Sequence, residues 1–160
     1  MEMRFYSRAT GICLLTWLVC AAFAQIAAAR FEAYPAIEPY RGRNAPVILS
    51  RRDQTFRTRL RSAASEKPNF AGHYILTAWG CGAECLMGAI IDANTGHVYW
   101  LPFTVCCWGA NAADDFQPIA FRLDSRLIVF AGQRNEKEGD GGKHYYEIVA
   151  GKLKEIRVSP

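Results

Sequence analysis

The strongest constraint on the fold is a repeated unit, a short run of β-branched and aromatic residues closed by turn chemistry. Such runs occupy residues 73–79 (HYILTAW), 86–92 (LMGAIID), 97–101 (HVYWL), 119–123, 126–133 (RLIVFAGQ), 143–149 and 152–158. Residues of this kind fit a pleated, half-buried surface, so each run predicts a strand. Asn94-Thr95-Gly96, Asp124-Ser125 and Ala150-Gly151 each separate two runs. They predict three hairpins preceded by a lone strand. Short connections make the strands antiparallel neighbours. The expected fold is therefore α+β and mostly β. It is an antiparallel meander of about seven strands in hairpins, with one N-terminal amphipathic helix packed on it.

The helix comes from residues 51–65. Phe56, Leu60, Ala63 and Ala64 recur at helical spacing, and Arg52, Arg57, Arg59 and Arg61 fall on the other face. Ser50 followed three residues later by Asp53 resembles a capping box. Lys67-Pro68 ends the helix, because a residue before proline disfavours the helical region. Residues 30–49 hold Pro35, Pro39 and Pro46, which exclude a regular helix. They read as an extended lead-in lying across the domain, anchored by Tyr34, Ile37 and Tyr40. Residues 104–117 form a loop carrying Cys106, Cys107, Gly109, Asp114 and Asp115. Residues 134–142 (RNEKEGDGG) read as a mobile surface loop.

The N-terminus sets the chemistry available to this domain. Arg4 and Arg8 precede an apolar stretch over residues 12–23 (ICLLTWLVCAAF), and small residues follow. That order is the pattern of a cleavable secretory signal peptide. The stretch is short of the roughly 20 residues a bilayer span needs. Val19 before Cys20 argues against a lipid-modified cysteine, which normally follows a small residue. Cleavage is expected after Ala24 or Ala29, with Ala29 preferred because Arg30 opens the charged, proline-bearing sequence. The expected organisation is a signal peptide over 1–29, the lead-in over 30–49 and a single domain over 50–160, in a periplasmic or secreted protein without a stable membrane anchor. Of 19 Lys+Arg and 15 Asp+Glu, the leader takes Arg4, Arg8 and Glu2. The remainder carries a mild excess of positive charge. Its cations gather only over residues 41–61, at helical spacing, so a solvated helix face is favoured over nucleic-acid binding.

Export also decides how the cysteines are read. Cys13 and Cys20 leave with the leader, and Cys81, Cys85, Cys106 and Cys107 remain. Thiols oxidise outside the cytoplasm, so disulfides come first. A Cys-x-x-x-Cys pair closes only across a bent loop, and Gly80 and Gly82 around Cys81 supply one. Adjacent cysteines join only through an eight-membered ring, which is more readily reduced. The favoured arrangement is a local Cys81–Cys85 bridge with a vicinal Cys106–Cys107 bridge. The alternative joins Cys106 and Cys107 to Cys81 and Cys85 and ties two loops together. Zinc is disfavoured by the ligand spacing, and a redox pair would more often be Cys-x-x-Cys. Neither a metal nor a cofactor is expected.

Other candidates are single residues. His73 enters the first strand and could act as ligand or base, although it has no fixed partner in sequence. Glu84, between two cysteines, is the best-placed acid. Trp79, Trp100 and Trp108 with Tyr99, Phe103 and Phe116 concentrate aromatic area, most of it destined for the core. Trp108, in a Gly-flanked loop, is the one expected to be exposed as an anchor. The sequence carries no Gly-x-Ser-x-Gly, Walker loop or His-Glu-x-x-His motif.

Pro68-Asn69-Phe70-Ala71-Gly72-His73-Tyr74, Trp79-Gly80-Cys81-Gly82-Ala83-Glu84-Cys85 and Ile91-Asp92-Ala93-Asn94-Thr95-Gly96 together resemble an uncharacterised family of small exported bacterial proteins. Its pattern is N-F-A-G-H-Y, W-G-C-G-x-x-C and D-x-x-T-G. The resemblance covers mainly residues 51–101 and weakly the last hairpins. It departs at 83–85, where small hydroxyl residues usually precede the second cysteine. It implies a periplasmic address and a pairing of Cys81 with Cys85, and brings no activity with it. The strand-turn-strand units also resemble single β-propeller blades, an analogy of fold alone. The favoured expectation is a non-enzymatic binding domain for a protein or cell-envelope component, using the cysteine loops with Trp79, Glu84 and Trp108. The alternative is a hydrolytic or thiol-redox enzyme using His73, Glu84 and Cys81 or Cys85, which requires those side chains to converge.

Overall fold

The computed structural model describes residues 29–36, 39–109 and 116–157. Residues 1–28 of the expected leader, the lead-in anchor Ile37, and Asp114 and Asp115 of the cysteine loop lie outside the described residues. The strands are β1 (Tyr74–Gly82), β2 (Cys85–Asp92), β3 (Val98–Trp100), β4 (Val105–Cys106), β5 (Ile119–Phe121), β6 (Leu127–Ala131), β7 (Gln133–Arg134), β8 (Lys143–Val149) and β9 (Lys152–Ile156). They form two antiparallel sheets, where the hairpin pattern predicts a single meander of about seven strands. Sheet A runs β1-β2-β4-β7 with β3 also beside β2, and sheet B runs β5-β6-β8-β9.

Two interruptions produce the split. The first lies between β3 and β4. Leu101 N–H donates to the Gly88 carbonyl, and Val105 resumes the pairing opposite Leu86. Residues 102–104 bulge out between them, led by Pro102, which has no N–H for the ladder. Strand structure therefore extends into the segment expected to be loop. The second lies at Gly132. Ala131 pairs with Lys143 in sheet B, and Gln133 pairs with Cys106 in sheet A. Gly132 has φ +134°, and a Cβ there would overlap the Cys106 carbonyl. A glycine is required at this corner, where one run of chain changes sheets. The first strand is likewise not alone, since β1 pairs along its length with β2.

Three layers result. Tyr74 and Leu76 of β1 and Ile90 of β2 face sheet B, meeting Ile128, Phe130, Tyr146 and Ile148. Ile75, Trp79, Ala89 and Ile91 face the other way, against Leu60, Ala63 and Ala64 of helix α1 (Arg57–Ala64). Burial on both faces explains the nearly unbroken apolar character of 73–79 and 86–92. The helix is shorter than the expected 51–65, because residues Arg52–Phe56 form a tighter 3₁₀ segment. Only the return half of the capping box forms: Ser50 N–H donates to Asp53 Oδ2 at 2.6 Å.

The lead-in crosses the domain with a 3₁₀ turn at Phe31–Ala33, held largely by its backbone. Arg126 N–H donates to the Tyr34 carbonyl, Tyr40 N–H to Gly72, Ala45 N–H to Ala93 and Ile48 N–H to Gly96. The Ser125 hydroxyl lies 2.8 and 3.0 Å from the Phe31 and Tyr34 carbonyls. Residues 134–142, expected to be a mobile loop, are pinned at their base, and Arg134 itself belongs to β7. Arg134 of β7 holds Asp140 through Nε at 2.8 Å and reaches the Tyr146 hydroxyl and Glu155 at 2.7 and 2.6 Å. That pairing keeps the Asp140 carboxyl far below its ordinary range, despite the opposing effect of desolvation.

Candidate functional site

Cys81, Cys85, Cys106 and Cys107 converge at one end of sheet A. Cys81 and Cys85 stand on either side of the β1–β2 turn with their sulfurs at bonding distance and Cα atoms 5.2 Å apart. Cys106 and Cys107 are also at bonding distance, at the end of β4. This is the arrangement favoured from the sequence. The register adds a relation the sequence does not reveal, because Cys85 lies directly opposite Cys106. Cys107 N–H donates to the Glu84 carbonyl at 3.2 Å, tying the two turns together. Glu84 (φ +45°) and Cys107 (φ +56°) both sit in the left-handed region, sparsely populated by residues with a Cβ. Cys85 and Cys106 are buried, while Cys81, Glu84 and Cys107 are exposed.

The aromatic anchors expected here are packed and not exposed. Trp79 is buried behind α1, in a cluster with Phe56 and Trp100 at centroid distances of 5.3 and 5.8 Å, with the Arg59 guanidinium over its ring. Trp79 alternates onto the helix-covered face of β1, so it is a core residue and not a binding surface. Trp108 is half-buried, packs against the core between the sheets and lies 6.2 Å from Phe116. Glu84 alone of the three presents an exposed side chain.

His73 lies at the opposite end of β1, where its Nε2 is 3.9 Å from Asp92 Oδ1 and its ring sits 4.1 Å from Tyr74. Burial, reinforced by the Asp92 carboxylate, raises the Tyr74 phenol. Seven strand residues, 74–80, lie between His73 and Cys81, roughly 25 Å at the usual rise. His73 therefore does not converge with Glu84, Cys81 or Cys85, and the set required by the enzymatic alternative is not assembled. Among the described residues no three His, Cys, Asp or Glu side chains are grouped to hold a metal ion.

One concavity is a site that the sequence pattern does not single out. An open groove of about 1380 Å³ runs between the lead-in and the end of α1. Arg41 and Arg43 line it from the lead-in, and Arg61 and Lys67 from the helix end and the irregular segment that follows it, against one described acid, Glu66. Asn44 holds the two walls together: its Nδ2 donates to the Ala64 and Glu66 carbonyls at 2.9 and 2.7 Å. The Ala64 carbonyl is among the unsatisfied acceptors every helix end leaves, and that of Glu66 lies just beyond it. Tyr40 closes one end, its hydroxyl donating to the Arg43 carbonyl at 2.9 Å. The signal for this site was the recurrence of cations over 41–61, which helical spacing assigned wholly to a solvated face.

Among the described residues no helix is long and apolar enough to cross a membrane. No protein-family model, curated protein or solved structure matches the chain.

Proposed function

We propose that this is an exported, disulfide-stabilised binding domain of the bacterial envelope, non-enzymatic in its main role, that holds an anionic envelope polymer in the groove between the lead-in and α1. The observation that carries the reading is the gathering of four cations from two separate chain segments around one concavity with a single described acid. Such a groove focuses positive potential and concentrates polyanions. An extended phosphate- or carboxylate-bearing chain suits a groove open to solvent along this cationic lining. The leader pattern, the paired cysteines and the resemblance to small exported bacterial proteins support a periplasmic or secreted address. The separation of His73 from the cysteine end weakens the hydrolytic alternative.

The test is fluorescence polarisation of two labelled linear polyanions, polyphosphate and polygalacturonate, titrated with the mature domain. Binding to at least one is expected, weakening as salt screens the contact. The paired substitution Arg43→Glu with Lys67→Glu is expected to lower affinity at least tenfold. Lys152→Glu with Lys154→Glu, on the exposed part of β9, keeps the same net charge change and is expected to leave binding near wild type. Equal loss in both variants, or none in the first, refutes the groove as the site.

A further inference from the structure

We infer that the two disulfides form a single exchange-coupled centre, in which reduction by an external dithiol leaves a Cys85–Cys106 cross-strand disulfide and releases Cys81 and Cys107 as thiols. The inference does not depend on the groove.

The alternation of hydrogen bonds along β2 carries it. Leu101 N–H donates to Gly88 and Cys107 N–H to Glu84. The even-numbered residues of β2 therefore bear the bonds to this neighbour, and Cys85 meets Cys106 at a non-hydrogen-bonded position. At such positions opposing Cα atoms are about 4.5 Å apart and side chains approach most closely. That separation lies within the range disulfides span. Both side chains also share one face. Cys85 alternates with Met87 and Ala89 on the helix side of β2, and Cys106 lies opposite in sense to Val105, which faces sheet B. The pair is buried at 7% and 1% relative exposure, while each outer partner, Cys81 or Cys107, is exposed. External thiols thus have access to the outer cysteines, and the inner two have access to each other.

The chemistry balances in three exchanges. A thiolate of the dithiol attacks Cys107 Sγ, forming a mixed disulfide and expelling Cys106 as thiolate. Cys106 attacks Cys85 Sγ across the strand pair, forming the Cys85–Cys106 bond and expelling Cys81, which takes a proton from water. The second thiolate of the dithiol attacks the mixed disulfide, leaving as a cyclic disulfide and releasing Cys107, which is protonated in turn. One dithiol is oxidised by two electrons and the protein is reduced by two. The internal step is unimolecular and runs between groups already held in register, through ordinary thiolate attack on a disulfide sulfur. A centre of this kind accepts electrons from a dithiol protein or small dithiol at an exposed edge and moves the one remaining bridge to between β2 and β4.

The oxidised mature domain is treated with one equivalent of dithiothreitol without oxygen, trapped with N-ethylmaleimide in acid and mapped by tandem mass spectrometry. The expected two-electron product is labelled on Cys81 and Cys107 and retains a Cys85–Cys106 linkage. Labels on Cys106 and Cys107 with Cys81–Cys85 intact, or on Cys81 and Cys85 with Cys106–Cys107 intact, overturn the inference. The double variant Cys81→Ser with Cys107→Ser gives a second reading: oxidised and folded, it is expected to show no free thiol. Two free thiols on the folded variant count against the coupling, and should it not fold the wild-type map decides.

Discussion

Asp53 is the position where a single substitution is expected to cost most for its size. It is 3% exposed, yet carries a charge, and two donors compensate. Ser50 N–H donates to Oδ2 at 2.6 Å and the Trp100 indole Nε1–H to Oδ1 at 2.7 Å. The carboxylate thereby links the start of the helical segment to β3, across the aromatic cluster of Phe56, Trp79 and Trp100. Hydrogen bonds to a charged group contribute about 1.5–3 kcal/mol each, so two set an upper bound of roughly 3–6 kcal/mol. Water replaces part of this, because Ser50 is exposed and Trp100 only half-buried. Asp53→Ala is therefore expected to destabilise by about 2–4 kcal/mol, lowering Tm by roughly 8–15 °C for a domain of this size. Asp53→Asn is expected to lose about half as much, since its amide must turn an NH₂ group towards one of the two donors.

Guanidinium unfolding followed by tryptophan fluorescence measures both, and a cycle with Trp100→Phe isolates the indole bond. A coupling of at least about 1 kcal/mol is expected, whereas residues that do not interact add to within about 0.5 kcal/mol. Additivity, or an Asp53→Ala cost below about 1 kcal/mol, refutes the account. The pH dependence gives an independent sign. Burial alone would raise the Asp53 carboxyl, but the bonds from Ser50 and Trp100 outweigh it and hold the group below its ordinary value. The unfolded chain then takes up the proton first as pH falls. The stabilisation is fully present above the unfolded value of about 3.9 and is lost as pH drops through the lower folded one. The stability gap between wild type and Asp53→Ala is expected to narrow below about pH 4, and a gap that widens there contradicts the assignment.

Gly88→Ala would place a Cβ 2.5 Å from the Thr77 carbonyl oxygen of β1 and 3.1 Å from Leu101. Relief requires parting β1 from β2, so an overpacking cost of about 2–3 kcal/mol is expected, read as a lower denaturant midpoint. Asn69→Ala removes an amide that pairs with both the N–H and carbonyl of Leu76 at 2.7 and 3.0 Å, standing in for a neighbouring strand on the edge of β1. A loss of about 1–2 kcal/mol is expected, with concentration-dependent association in sedimentation velocity as the edge opens; a monodisperse variant of wild-type stability counts against this role. Ser125→Ala strips the hydroxyl that binds the lead-in and accepts the Leu127 N–H at 3.2 Å. Hydrogen exchange is expected to accelerate at Arg126, whose amide bonds Tyr34, with a loss of about 1–3 kcal/mol.

The parts of the fold legible in sequence are those set by near neighbours. Turn residues at 94–96, 124–125 and 150–151 do join antiparallel strands, because a tight turn leaves its flanks no other partner. The division into two sheets was encoded more faintly. Period-two alternation says which residues are apolar, not which layer they meet. The unbroken apolar run HYILTAW is the mark of a strand buried on both faces, and Gly132 inside RLIVFAGQ is the mark of a bulge or corner. Together they imply a middle layer and a strand shared by two sheets. The two-residue strands β4 and β7 fall below any periodic window and exist only because β2 and the Gly132 corner bring them alongside.

The site divides along the same line. Cys81 with Cys85 and Cys106 with Cys107 were legible because each pair is local. The opposition of Cys85 and Cys106 was not, because it depends on the number of residues that bulge out at 102–104: one residue more or fewer would turn Cys106 to the other face of the sheet. The groove depends on an equally non-local contact. Arg43 and Arg61 are eighteen positions apart, and the helical reading of residues 41–61 spread them along a solvated face instead of across a groove. What joins them is Asn44, which caps carbonyls at the end of α1 and so brings the lead-in cations beside those of the helix. The charge was present in the sequence, while the concavity that makes it a site follows from one tertiary cap. Asn44→Ala is therefore expected to weaken polyanion binding although it removes no charge.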